Sequence, residues 1–242
     1  MISKGSSDIF PDGKKAYVAG MFDDIALKYD FLNHFLSFGI DKRWRRHLVY
    51  SLDAGQHLNI LDVATGTADL AIKIVEKLED SRVTGIDISE NMLNIGSAKV
   101  VKKNLSDRIE LKSGDAENIP FNDQTFDAAT VAFGVRNFEN LNQGLAEMFR
   151  ILKPDGKVAI LEFSMPERKT FLILYKFYFR IILPFLGKMI SKNFYAYRYL
   201  PNSVNDFPDA PTFQQILQQI GFKDVKCKKL TYGICYLFTG IR

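Results

Sequence analysis

The sequence has few of the residues that mark specialised classes of protein. Only two of its 242 residues are cysteines, Cys227 and Cys235, so it can build neither a disulfide framework nor a cysteine-rich zinc site. Lys and Arg outnumber Asp and Glu by only 32 to 28, an excess too small to indicate a nucleic-acid partner. We therefore expect a protein of the reducing cytoplasm that binds no nucleic acid.

Long apolar runs are also missing. The N-terminal stretch MISKGSSDIFPDGKK lacks the apolar core of a signal peptide. The longest apolar stretch, residues 171–190, is interrupted by Lys176, Arg180, Pro184 and Lys188, so we expect no transmembrane helix. With 47% hydrophobic and 25% charged residues, the composition is that of an ordinary globular domain.

From residue 58 onward, apolar runs of strand length alternate with amphipathic runs of helix length. The predicted strands are 58–64, 82–88, 109–113, 126–132 and 157–163. The predicted helices between them are 68–78, 90–103 with Ser89 as its N-cap, and 141–152, ended by a turn at 153–156. This alternation predicts an α/β fold with a Rossmann-like, doubly wound and mostly parallel sheet.

The chain has no internal repeat and no linker rich in Gly, Ser or Pro, so we predict one domain with additions to its core. Residues 1–20 are predicted to be a flexible tail, and 21–242 form the domain. Its predicted segments are a helical cap at 21–57, a cofactor-binding core at 58–163, an apolar and basic helical insertion at 164–211, and a final helix and strand pair at 212–242.

Acidic residues follow three successive strands of the predicted core. The small-residue turn around Gly66 lets a ligand approach the backbone and the start of a helix. Asp87 lies 21 residues after Gly66, the spacing at which a carboxylate receives ribose hydroxyls. Asp115 follows the third strand, where it could accept a hydrogen bond from the amine of adenine. The three strand ends therefore predict a nucleoside site.

The first turn reads ATGTAD from Ala64 to Asp69, whereas a dinucleotide-binding turn has the pattern GxGxxG. Asp69 would repel an anionic pyrophosphate and attract a cationic ligand, which favours S-adenosylmethionine over NAD. A structural alternative remains for each acid: Asp62 could bind backbone amides, Asp87 could cap the next helix, and Asp115 could hold a turn.

The strand-end motifs, LDVATGTADL at 61–70, GID at 85–87 and GDA at 114–116, resemble those of class I S-adenosylmethionine-dependent methyltransferases. Further motifs resemble the ubiquinone/menaquinone biosynthesis C-methyltransferases. They are YDFLN at 29–33 with SFG at 37–39 and WR at 44–45, FGVRN at 133–137, and YRYLP at 197–201 with SV at 203–204. The resemblance extends over nearly all of the chain after residue 19. It implies methylation of a ring carbon of a polyprenylated quinol, with demethylmenaquinol favoured over a demethylated ubiquinol precursor.

The resemblance also implies where the cofactor binds. Its contacts would fall on Thr67, on Asp87 and on the pair Asp115 and Ala116. Gly66 and Asp69 would line the methionine end of the site. Many members of the family carry Ser where this chain has Ala132, so only a backbone contact is expected there.

In the reaction implied by the resemblance, the substrate itself is the nucleophile, so no metal and no nucleophilic side chain is required. We assign Arg136 to stabilisation of the phenolate or to the orientation of a water molecule, and Asp69 to acceptance of the proton. The remaining polar contacts and substrate walls are assigned to Asn137, Tyr29, Tyr197 and Arg198. The alternatives are a surface ion pair for Arg136 and ordinary aromatic packing for the tyrosines.

The strip at 168–198 carries seven basic residues and no acid among many apolar ones. Three interpretations stay open: it covers the core, it lines a tunnel for the isoprenoid tail, or it contacts an anionic membrane. The rival functions are methylation of another hydrophobic acceptor and a non-catalytic, methyltransferase-like subunit. A homo-oligomer stays open as well.

Overall fold

The computed structural model describes residues 13–37, 39–52, 57–166 and 194–242, without the side chains of 28, 31–36, 194–198 and 200. The strands are Asn59–Val63 (β1), Arg82–Asp87 (β2), Ile109–Ser113 (β3), Phe126–Ala132 (β4), Leu152–Phe163 (β5), Lys223–Leu230 (β6) and Cys235–Ile241 (β7). Within the described ranges these strands form one sheet of seven in the order β3-β2-β1-β4-β5-β7-β6. The pairs from β3 to β5 are parallel, and β7 is antiparallel to β5 and β6.

The helices are Lys14–Leu36 (α1), Ile40–Val49 (α2), Asp69–Lys77 (α3), Glu90–Lys102 (α4), Leu141–Ile151 (α5), Phe194–Asp206 (α6) and Ala210–Ile220 (α7), and a short 3-10 turn covers Val135–Asn137. Buried apolar side chains form two clusters, and the neighbouring residues Ile60 and Leu61 of β1 belong to different ones. Because successive strand residues point to opposite faces, the sheet has a core on each face. The predicted doubly wound, mostly parallel fold is confirmed.

The order of the strands reverses at β1, which has β2 on one side and β4 on the other. The chain therefore leaves these neighbouring strands in different directions, and a crevice opens beyond their carboxyl ends. Ligands of open α/β sheets bind in such a crevice. The fold thus brings the predicted strand-end acids to one edge.

Several element boundaries differ from the predicted ones. The leader helix begins at Lys14, so residues 14–20 are helical and not part of a tail, because Lys14 donates to the carbonyls of Arg136 and Phe138 at 3.0 and 2.7 Å. β5 begins at Leu152, since the predicted turn at 153–156 runs within the strand, with Asp155 at a φ of 61°. The Ser89 cap is confirmed: its hydroxyl accepts the N–H of Met92.

α1 lies across the carboxyl edge of the sheet, and further polar contacts attach it there besides those of Lys14. Near its start, Lys15 pairs with Asp115 at 2.6 Å. In its middle, Asp23 accepts from the Ser89 hydroxyl, and further along Asp30 pairs with Lys99 at 2.8 Å. Each of these further contacts is to an element that follows β1, β2 or β3, so α1 covers the edge where the predicted site lies.

Candidate active site

Two adjoining cavities lie at the carboxyl edge of the sheet. The larger extends beside the ends of β2 and β3, and the smaller lies beside the loop between β1 and α3. Among the described residues, those that line both cavities are Tyr29, Ala64, Gly66 and Ala132. Ligands of open α/β sheets bind beyond the carboxyl ends of the strands, so together the two cavities form the candidate site.

The loop after β1 is held by a buried carboxylate. Asp62 accepts hydrogen bonds from the hydroxyls of Thr65, at 2.6 Å, and Thr130, at 2.8 Å, which ties the loop to β4. Burial raises the pKa of Asp62 from 3.8 to about 6. Gly66 follows with a φ of 56°, a left-handed conformation that glycine adopts without steric cost. Asp62 thus positions the loop and also borders the smaller cavity.

Asp87 ends β2 and lines the larger cavity. Its Oδ2 accepts the backbone N–H of Gly66 at 2.8 Å, and its Oδ1 accepts that of Ser89 at 2.9 Å. Burial raises the pKa of this carboxyl, although the backbone donors oppose the shift. Asp87 therefore joins two loops, and its remaining lone pairs can accept the hydroxyls of a ribose in the cavity.

Asp115 lines the larger cavity after β3, next to Ala116. Its Oδ1 accepts the N–H of Glu117 at 2.9 Å, and its Oδ2 pairs with Lys15 of α1 at 2.6 Å. The hydrogen bond with Asp115 raises the pKa of Lys15. Asp115, which the sequence analysis assigns to adenine, therefore also holds a turn, and this is the structural alternative given for it above. It also attaches α1 to the edge of the sheet.

Asp69 and Thr67 converge on Lys99 of α4, a cation that the sequence analysis missed. The Lys99 ammonium pairs with Asp69 and lies 2.8 Å from Asp30 Oδ2 and 3.2 Å from Thr67 Oγ1. The Thr67 hydroxyl in turn donates to Asp30. This cluster fastens α1 to the start of α3, and Asp69 and Thr67 both line the smaller cavity. A lysine on an amphipathic helix carries no signal by which the sequence could have singled it out.

Arg136 lies behind the wall of the larger cavity, whose described lining includes its neighbours Gly134 and Asn137 but not Arg136 itself. Its guanidinium pairs with Glu162 of β5, with Nη1 2.8 Å from Oε1, and its backbone N–H donates to Oε2 at 3.1 Å. Nη1 also donates to the carbonyl of Phe133. The Glu162 side chain is 0% exposed, so the pair is buried and not a surface one.

The charge of Arg136 still acts on the site. It interacts electrostatically with Tyr29 and Tyr199, and its own pKa is raised because the attraction of Glu162 and the tyrosines opposes the effect of burial. Its Nε donates to the Ser203 hydroxyl at 3.3 Å, which links the turn after β4 to α6. Arg136 is thus placed to hold this turn in position and to contribute a positive potential beside Tyr29.

Asn137 lines the larger cavity, and the Tyr199 hydroxyl donates to its Oδ1 at 3.1 Å. Burial raises the pKa of Tyr199 to about 12, so this hydroxyl keeps its proton at neutral pH. With its carbonyl oxygen engaged, Asn137 offers its amide N–H groups as donors at the cavity. Tyr29 packs edge-on against Phe22, with ring centroids 5.6 Å apart, and both rings line the larger cavity.

The structure brings together most of the residues that the sequence singled out. Those that line the two cavities are Tyr29, Gly66, Thr67, Asp69, Asp87, Asp115, Ala116, Ala132 and Asn137. Tyr197 and Arg198 belong to α6, but their side chains lie outside the described residues. Most of the strip at 168–198 lies outside the described residues too.

Known proteins are similar to this chain over most of its length. The profile of the ubiE/COQ5 methyltransferase family matches residues 11–242. A demethylmenaquinone methyltransferase of Bacteroides fragilis is 44% identical over 232 residues, which cover 96% of this chain and 95% of that protein. A protein of Geotalea daltonii named ubiquinone/menaquinone biosynthesis C-methyltransferase UbiE is 47% identical over 221 residues, covering 91% and 94% of the two chains.

Solved structures resemble the fold at low sequence identity. A SAM-dependent methyltransferase from Aquifex aeolicus has a TM-score of 0.60 at 20% identity and covers 81% of this chain and 88% of its own. The [4+2]-cyclase SpnF has a TM-score of 0.71 at 15% identity, covering 95% and 96%. These similarities support the Rossmann-like fold, and the differing names show that the fold alone does not specify a reaction.

Proposed function

Because the chain belongs to the ubiE/COQ5 methyltransferase family, we propose that it methylates a ring carbon of a polyprenylated quinol with S-adenosylmethionine as the donor. The favoured acceptor is demethylmenaquinol, since the Bacteroides fragilis relative is named a demethylmenaquinone methyltransferase. The observation that carries the proposal is the pair of joined cavities, one lined by acids that follow β2 and β3 and the other by the loop after β1.

The residues of the cavities fit S-adenosylmethionine. Asp87 would hold the ribose hydroxyls, and Asp115 with the backbone of Ala116 would hold adenine beside the apolar side chains of Ile88 and Phe138. The methionyl end would lie along the loop after β1 and the end of β4, at Gly66, Thr67, Asp69 and Ala132. When bound, this cofactor supplies an electrophilic methyl group on a sulfonium.

The acceptor must be held with its hydroxyl ionised, since loss of that proton makes the ring carbon nucleophilic. Once this carbon has taken the methyl group, loss of its own hydrogen as a proton restores the aromatic ring. We assign the amide donors of Asn137 to the hydroxyl oxygen, and the positive potential of Arg136 favours negative charge there. Asp69 accepts the proton, because its carboxylate faces the smaller cavity beside Tyr29. Tyr29 contacts the ring where the cavities meet, and Tyr197 and Arg198 of α6 remain proposed acceptor contacts.

Two other functions make different predictions. Methylation of a demethylated benzoquinol is supported by the Geotalea daltonii relative, whose name covers both ubiquinone and menaquinone. A non-catalytic subunit would not need the cofactor residues, yet Gly66 keeps its left-handed turn and Asp87 its place at the larger cavity. The enzymatic function is therefore the one that we propose.

Turnover measured by mass spectrometry tests the proposal. The purified protein is incubated with S-adenosylmethionine and either reduced demethylmenaquinone or a reduced demethylated benzoquinone, and each oxidised form serves as the control. We expect methylation of the reduced acceptors alone, with the naphthoquinol faster. Methylation of an oxidised form would contradict the quinol nucleophile. Cofactor binding without methylation of any acceptor would overturn the substrate class.

We further propose that this cytoplasmic enzyme meets its lipophilic substrate at an anionic membrane surface. Of the helices that the structure describes, none is both long enough and apolar enough to cross a membrane. The seven basic residues of the strip at 168–198 provide the charge for such a contact. Co-sedimentation with anionic vesicles and not with neutral ones is expected, and equal recovery with both would overturn this proposal.

A further inference from the structure

Arg45 of α2 is a buried cation whose charge reaches the candidate site. Its side chain is 10% exposed, and its Nη1 pairs with Asp41 at 2.5 Å. Its guanidinium also lies over the ring of Phe133, 5.4 Å from the centroid. In the part of the chain that the structure describes, Asp41 is the hydrogen-bond partner of this guanidinium, yet Arg has five N–H donors. Because Arg45 lines the smaller cavity, donors remain for a ligand there.

The lining of the smaller cavity carries charges of both signs. Arg45 borders it from α2, whereas Asp69 borders it at the first residue of α3. The smaller cavity also lies at the start of α3, and the N-terminus of a helix favours an anion. A ligand that carries both an anionic group and a cationic group is therefore complementary to the smaller cavity.

The position of the smaller cavity defines which part of a ligand would reach it. It joins the larger cavity through Tyr29, Ala64, Gly66 and Ala132, and the larger cavity has the acids suited to ribose and adenine. A nucleoside in the larger cavity would therefore extend its 5′ substituent along the loop after β1. In S-adenosylmethionine that substituent ends in an ammonium and a carboxylate.

We propose that Arg45 binds the α-carboxylate of S-adenosylmethionine in the smaller cavity. This inference rests on the proposed function for its cofactor and adds a residue to the binding site. Asp41 orients the guanidinium from behind, and Phe133 supports its face. A guanidinium suits the role because its planar donors match the two oxygens of a carboxylate.

Calorimetric binding of three ligands tests the proposal without turnover. S-Adenosylmethionine carries the carboxylate, its decarboxylated analogue keeps only the ammonium, and 5′-methylthioadenosine has neither group. We expect Arg45→Met to weaken S-adenosylmethionine binding about 10- to 100-fold, the range for loss of a hydrogen bond to a charged group. Binding of the other two ligands should stay within about twofold of the wild type, which also shows that the variant is folded.

Three further variants separate binding from packing. Arg45→Lys keeps the charge and should recover part of the affinity, whereas Arg43→Met, an exposed change on the same helix, should leave all three affinities unchanged. Asp41→Asn keeps the Arg45 charge and an acceptor oxygen, so it should weaken S-adenosylmethionine binding much less than Arg45→Met does. If Asp41→Asn weakens binding as much as Arg45→Met does, the pair acts only through packing and the inference is wrong.

Two outcomes distinguish failure of this inference from failure of the proposed function. If the wild type binds S-adenosylmethionine and Arg45→Met binds it equally well, Arg45 is not a ligand residue while the function stands. An equal loss for all three ligands would likewise overturn the carboxylate contact. If the wild type binds 5′-methylthioadenosine but not S-adenosylmethionine, the cofactor assignment itself fails, and this inference fails with it.

Discussion

Glu162 offers the sharpest perturbation of the site, because it can be changed without touching either cavity. It accepts hydrogen bonds from the backbone N–H and Nη1 of Arg136 and from the N–H of Phe163 at 2.8 Å. Glu162→Gln keeps the shape, removes the charge and points an amide N–H group at these donors. Breaking a buried pair on one side costs about 3–5 kcal/mol, so we expect the free energy of unfolding to fall by about that amount.

The double variant separates the fold from the chemistry. Replacement of a buried ion pair by hydrophobic residues of similar volume is often neutral, so Arg136→Met combined with Glu162→Met should recover the stability lost to an unpaired buried charge. The loss of an acceptor for the backbone N–H groups of Arg136 and Phe163 should remain. Turnover should stay absent in the double variant, because the positive potential beside Tyr29 and the hydrogen bonds that hold the turn after β4 are gone. S-Adenosylmethionine affinity should stay near that of the wild type.

Urea unfolding of the wild type, both Met single variants and the Met double variant gives the coupling energy between the two side chains. The single tryptophan, Trp44, is buried 6.0 Å from the ring of Phe133 and reports unfolding by its fluorescence. A coupling below about 1 kcal/mol would refute the buried pair, since pairs of that strength are typical of the surface. Full turnover by the folded double variant would refute the role of Arg136.

Three other changes are expected to act at separate places. Burial keeps the Asp62 carboxyl protonated in the folded state up to about pH 6, whereas the unfolded chain loses this proton near pH 4, so stability falls across that interval. Asp62→Asn removes this loss, and its stability relative to the wild type should rise by about 3 kcal/mol from pH 4 to pH 7 in urea titrations. Gly85→Ala places a Cβ 2.6 Å from Leu111 Cδ2 and should cost about 1–3 kcal/mol in thermal unfolding, whereas Gly20→Ala, with open space around it, should not destabilise. Lys15→Met removes the partner of Asp115 and should tighten binding of adenosine ligands about two- to fivefold in calorimetry, because a half-exposed ion pair contributes up to about 1 kcal/mol.

Each of these expectations has an outcome that would contradict it. Parallel pH profiles of the wild type and Asp62→Asn would show that the pKa of Asp62 is not raised. Unchanged melting of Gly85→Ala would show that Leu111 and Thr65 can move aside. Weaker adenosine binding by Lys15→Met would show that this lysine supports the site and does not compete with the ligand.

The sequence was sufficient for the sheet and for the residues at its strand ends. Alternation of apolar and amphipathic runs is a local pattern, and parallel strands must end at one edge, so Gly66, Asp87 and Asp115 could be placed together in advance. β5 was predicted too short because the turn residues before Lys157 continue the strand with Asp155 in a left-handed conformation. A local pattern contains no sign of such a distortion.

The partners of the charged residues could not be predicted in the same way. Arg136 finds Glu162 26 residues later on a neighbouring strand, and Lys99 meets Asp69 across 30 residues from another helix. Such pairs depend on how helices pack on the sheet, which hydrophobic periodicity leaves undetermined. Glu162 in particular follows a run of buried strand residues, and nothing local distinguishes it from an exposed strand glutamate.

The course of α1 across the edge has a consequence for the speed of the catalytic cycle. The helix contributes Val18, Phe22 and Tyr29 to the lining of the larger cavity. A cofactor bound there would therefore have to pass α1 when it leaves after methyl transfer. Its polar attachments include Lys14, Lys15, Asp23 and Asp30, and the ion pairs of Lys15 and Asp30 weaken as salt is added. Release of the cofactor that has lost its methyl group should therefore accelerate with ionic strength. Where that release limits turnover, moderate salt will make the enzyme faster.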